Sequence, residues 1–190
     1  YGFLILGEIF AEQNSDRAIG FVEESLQSLN MAEGTPVYAD TPEAYQREEV
    51  RLRIGAAFIQ IGEVDRGIAI LSDVTPTDDL LIFKVATLMN SARRLFLREQ
   101  VDYARILLRD SEQLVSQMKR DTDRSVYVLQ LALTYAKGGQ LNEARHLLSQ
   151  IDKLYRDGSF NYYDGFNWDY LDLLVTVGHY PQAVGFAESL

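Results

Sequence analysis

The chain has 190 residues, of which 47% are hydrophobic and four are proline, so it is long enough to bury a sizeable core as one domain or one run of repeats. Its net charge of −10 argues against a nucleic-acid partner, because phosphate-binding surfaces need clustered Lys and Arg. The absence of cysteine excludes disulfides, thiol nucleophiles and thiolate metal sites, and no apolar stretch approaches the roughly 20 residues of a membrane-spanning helix.

The opening segment, FLILGEIFAEQNSDRAIGFV, predicts a first pair of helices. Apolar residues recur at helical spacing from Phe3 to Phe10, and a turn is expected at Asn14. The second helix of this pair begins a new apolar stripe with Ala18 and Val22.

Two similar segments follow, at residues 51–74 and 88–111. In both, a large residue on the first helix, Phe58 or Leu95, lies nine positions before a small residue on the second helix, Gly67 or Ala104. Gly62 marks the turn in the first of these segments. The pattern predicts a helix, a tight turn and a second helix each time.

The clearest unit is VLQLALTYAKGGQLNEARHLLSQI, residues 128–151. Gly138 and Gly139 end its first helix, and a second apolar stripe starts at Leu141. Small residues at Ala132 and Ala144 allow the two helix backbones to approach closely.

The final segment, FNYYDGFNWDYL and the residues after it, copies this pattern with a different spacing. Trp168 and Leu171 are three apart, Val175 takes the place of the large residue, and Ala183 follows eight positions later. In this register we expect Trp168 to pack between adjacent helices.

These units resemble the tetratricopeptide repeat, whose signature combines a Trp, a Leu-Gly pair, a Tyr and an Ala at fixed spacing. The resemblance implies an all-α fold, a right-handed superhelix (α-solenoid) of about five antiparallel helix pairs. The small second-helix residues are 49, 37, 40 and 39 positions apart, longer than the family's period of about 34. We expect one domain, part of a longer chain, with units at residues 1–29, 43–75, 79–119, 123–156 and 164–190.

The groove lined by the first helices of such a superhelix commonly binds extended peptides or helices. The resemblance therefore implies a non-enzymatic module that binds a protein or peptide, or acts as a scaffold, with a partner that the sequence does not identify. The residues expected on or near this groove are Glu8, Glu12, Leu52, Ala56, Gln60, Met89, Arg93, Leu133, Lys137 and Asp169.

Aromatic residues before the last unit leave two interpretations open. Tyr162, Tyr163 and Phe166 belong to a loop that either folds back over the helices or forms an aromatic platform for a ligand. The second interpretation favours an alternative function, a ligand-binding sensory region of a larger regulatory protein.

Basic residues concentrate in the middle of the chain. Arg93, Arg94 and Arg98 belong to one predicted helix, and Arg105 and Arg109 to the next. Nearby acidic residues favour a solvent face of compensating charges over a docking site for an acidic partner.

Catalytic patterns are weak. His146 and His179 are the two histidines, and neither has a companion at metal-binding spacing or a nucleophile motif around it. We expect no enzyme activity, no cofactor and no metal. The compartment stays undetermined, with the cytoplasm slightly favoured over the periplasm or the extracellular space.

The last residues, AVGFAESL, fall in a second helix, so an apolar face is expected to stay open at this end. Repeat arrays normally cover such a face with a capping element. The sequence therefore predicts either a continuing chain or self-association with another copy through the C-terminal helix.

Overall fold

A computed structural model describes residues 17–32, 42–156 and 166–189, and every regular element among them is an α-helix. The all-α prediction is confirmed, while the superhelical arrangement stays a prediction. The helices are α1 (Arg17–Ala32), α2 (Pro42–Ile61), α3 (Val64–Asp73), α4 (Asp78–Leu97), α5 (Val101–Ser116), α6 (Asp121–Lys137), α7 (Leu141–Arg156), α8 (Phe166–Thr176) and α9 (Tyr180–Ala187).

The chain divides into two compact units, with the boundary between Leu107 and Leu108, inside α5. In the first unit, α2 contacts α1, α3 and α4. In the second, α6 contacts α7 and α8, and α8 contacts α9. Each unit has a first helix, α2 or α6, that contacts both its own partner and the first helix of the next pair.

The same kind of turn joins the two helices within each of four consecutive pairs, which are α2–α3, α4–α5, α6–α7 and α8–α9. One or two positions after the end of each first helix, a residue has a positive φ, and the N–H of the following residue donates to the carbonyl five positions back, which closes the helix end in a Schellman-type turn. The positive-φ residues are Gly62 (101°), Glu99 (60°), Gly139 (74°) and Gly178 (85°). The carbonyls belong to Phe58, Leu95, Tyr135 and Leu174, at N···O distances of 2.8–2.9 Å.

This turn corrects the register of the last pair. Leu174 accepts the closing hydrogen bond and is fully buried, whereas Val175 is 46% exposed. The spacing from Leu174 to Ala183 is nine, as in the other three pairs, and not the eight expected from Val175. The sequence register was wrong by one residue because Trp168 and Leu171 happen to have the spacing of the family signature.

Two glycines set the distance between α2 and α3. A Cβ on Gly67 would lie 2.6 Å from the Gly55 carbonyl oxygen and 2.9 Å from the Ile59 nitrogen. A Cβ on Gly55 would lie 2.8 Å from Leu71. The helices therefore meet backbone to backbone, as the small residues of the sequence predict. The core of the first unit forms beside this contact around Val22, Val50, Ile54, Ala57 and Phe58.

Basic side chains bind the carbonyl ends of neighbouring helices. In the first unit, Lys84 of α4 is buried and donates to the Val74 carbonyl after α3 at 2.6 Å. Arg98, just after α4, donates to the carbonyls of Ile59 and Gln60 in the last turn of α2, at 3.0 and 2.5 Å. In the second unit, Arg145 of α7 donates to the Val177 carbonyl after α8 at 3.0 Å. Each contact adds a hydrogen bond at a helix end, where the helix itself leaves carbonyls unpaired.

Tyr170 connects the last three helices. Its ring stacks on Phe166 at 5.7 Å and meets Phe186 edge-on at 4.9 Å. Its hydroxyl donates to Asp152 of α7 at 2.6 Å and accepts from Gln182 of α9 at 2.9 Å. Phe166 is fully buried as the first residue of α8, whereas the sequence predicted it in the preceding loop.

We expect Gly67→Ala to lower the free energy of unfolding by about 1–3 kcal/mol, because the new methyl group has no room against the α2 backbone. Gly20→Ala is the matched control. Gly20 lies inside α1 with no atom within 4 Å of an added Cβ, so this change raises stability by about 0.5–1 kcal/mol. Urea unfolding followed by circular dichroism measures both, and equal effects would contradict the close helix contact.

The shared turn predicts an opposite pair of effects. Glu99→Gly should stabilise the protein by about 0.5–1 kcal/mol, because glycine adopts a positive φ without steric cost. Gly139→Ala should destabilise it by about 1–2 kcal/mol through φ alone, since the space around an added Cβ is open. The same unfolding assay tests both changes, and loss of stability in Glu99→Gly would count against the shared turn.

Candidate functional site: an exposed tryptophan surface

Trp168 is 70% exposed on α8, so the expectation that it packs between helices is wrong. The side of the helix on which it lies is the physical reason. In the corrected register Tyr170, Leu173 and Leu174 form the buried side of α8, and Trp168 lies on the opposite side.

The corresponding position is buried in the other three pairs. Six residues before the closing carbonyl lie Leu52, Met89 and Leu129, which are 0%, 3% and 0% exposed. Trp168 is the fourth member of this series. The large apolar residue is retained at this position in α8, but here it faces solvent.

Three of the expected groove residues are buried. Leu52 and Met89 belong to the core of the first unit, and Leu133 is 4% exposed in the second. Their side chains are therefore not accessible to a partner. Periodicity predicted that they line a groove, but it does not show how much of a helix face the neighbouring elements cover.

Val175 and Asp172 lie beside Trp168, since residues four and seven positions apart share one face of a helix. Val175 is 46% exposed. Asp172 pairs with Lys137 of α6 at 2.9 Å, and both side chains are substantially exposed. We define the Trp168 surface as Trp168, Asp172 and Val175 of α8 together with Lys137 of α6.

An ion pair compensates one of the two carboxylate charges of α8, and a neutral amide donates a hydrogen bond to the other carboxylate. Its two carboxylates are Asp169, which accepts from Gln130 of α6 at 2.6 Å, and Asp172, which pairs with Lys137. Two of the expected groove residues, Lys137 and Asp169, are therefore engaged in contacts between the first helices of the second unit. The Lys137–Asp172 pair of the Trp168 surface is therefore neutral overall, whereas Asp169 beside it keeps its negative charge.

In the first unit, the expected groove residues Gln60 and Arg93 lie on α2 and α4. The Gln60 side chain accepts from Arg94, and Arg93 donates to Asn90 on its own helix at 3.2 Å. Two members of the basic cluster, Arg94 and Arg98, thus bind the end of α2. This agrees with a structural role for the cluster.

Several expected residues lie outside the part of the chain that the structure describes. These are the groove residues Glu8 and Glu12 and the loop tyrosines Tyr162 and Tyr163.

A recess in the second unit lies between α5 and α7. It has a volume of about 280 Å³ and is lined by Glu112, Asn142, Glu143, His146 and Leu147. Burial, and then a hydrogen bond to Glu112, raise the pKa of the Tyr135 hydroxyl well above its ordinary value. The hydroxyl therefore stays protonated and links α6 to α5.

Within residues 17–32, 42–156 and 166–189, no three metal-binding side chains come together. None of the helices described there combines the length and apolar character that crossing a membrane requires. No family model, curated protein or solved structure matches the chain.

Stability should fall above about pH 10, where the tyrosines of the unfolded chain ionise. The raised pKa of Tyr135 means that its contribution is fully present below that pH and is lost as the pH rises further. Tyr135→Phe should lower the free energy of unfolding by about 1 kcal/mol at pH 8, because Glu112 loses its hydrogen-bond donor. The variant should also lose less stability than the wild type between about pH 9 and pH 11. Urea unfolding across this pH range measures it. Tyr180→Phe, at an exposed position, is the control, and an unchanged slope in Tyr135→Phe would contradict the prediction.

Proposed function

We propose that this protein is a non-enzymatic protein-interaction module, whose tandem helix pairs hold a segment of a partner protein on the Trp168 surface. The observation that carries the proposal is the 70% exposure of Trp168 on a helix with a fixed orientation. Tryptophan is enriched among the residues that dominate binding energy at protein interfaces.

The rigidity of α8 supports this role. Phe166, Tyr170, Leu173 and Leu174 anchor one side of the helix in the core, so Trp168 projects from the other side of a fixed scaffold. Binding of a partner over the indole then costs this protein little conformational entropy, because the backbone that carries Trp168 is already ordered.

The surroundings of Trp168 define the chemistry of the partner. Val175 extends the apolar area by two turns of helix, and the Lys137–Asp172 pair offers one charge of each sign at its edge. An extended or helical segment with an apolar anchor and polar flanks fits this surface.

Trp168→Ala should abolish partner binding without unfolding the protein, since an exposed side chain contributes little to the core. Peptides selected from a random displayed library by the wild-type protein should lose at least about tenfold in affinity for this variant. Leu97→Ala is the control, because Leu97 is 85% exposed in the first unit. Trp168 is the single tryptophan of the chain, so bound peptide should also shift its fluorescence to shorter wavelength.

A double variant tests whether the positions of the two charges affect peptide binding while the ion pair itself is retained. Lys137→Asp with Asp172→Lys retains an opposite-charge pair but exchanges the two positions. Folding should be unchanged, whereas peptides with charged flanks should bind differently. Selected peptides that bind Trp168→Ala as tightly as the wild type would refute the proposed function.

A further inference from the structure

We draw no further inference here: the strongest candidate, the recess of about 280 Å³ between α5 and α7, rests on the two carboxylates of Glu112 and Glu143, and nothing in the described part of the chain points to a ligand for them.

Discussion

The hydrogen bond that closes each first helix fixes the rest of the architecture. It sets the second helix in one register, because a residue with positive φ reverses the chain and the next N–H returns to the carbonyl five positions back. The small residue nine positions after that carbonyl is buried in all four pairs. Where both helices carry glycine, at Gly55 and Gly67, the backbones approach as closely as van der Waals radii allow. Local turn chemistry thus determines long-range packing within each pair.

Contacts between pairs follow a second rule, in which a cation from one helix binds the carbonyl end of another. Lys84, Arg98 and Arg145 each do this within their own unit. The helix end carries a partial negative charge and unpaired carbonyls, so one basic side chain satisfies hydrogen bonds and interacts favourably with the helix dipole. Much of the basic character in the middle of the sequence is therefore structural. Charge clusters in helical repeats indicate helix ends as readily as they indicate partners.

The sequence predicted the helical pairs because glycine and small residues recur at the spacing that turns and close contacts require. The sequence-based prediction was wrong where a residue matched the expected spacing by chance. Trp168 and Leu171 matched the family spacing by chance and displaced the register of α8, although the nine-residue spacing around Phe58, Leu95 and Tyr135 pointed to Leu174. Periodicity likewise predicted that Leu52 and Met89 line a groove and did not predict their burial, which depends on elements distant in sequence. Glu99 at positive φ carried no sequence signal, because the turn tolerates the strain of a non-glycine residue there.

In the last helix pair, the core contacts are made by residues other than Trp168. Tyr170 takes over the links to α7 and α9 through its ring and hydroxyl, so the core of this pair needs neither Trp168 nor Val184. Both residues have counterparts in the preceding pair: Leu129 of α6 is buried, and Arg145 of α7 binds the next pair. In the last pair the corresponding residues, Trp168 and Val184, are 70% and 57% exposed. An exposed apolar side chain contributes little to stability, and a contact with another protein would account for the exposure of Trp168.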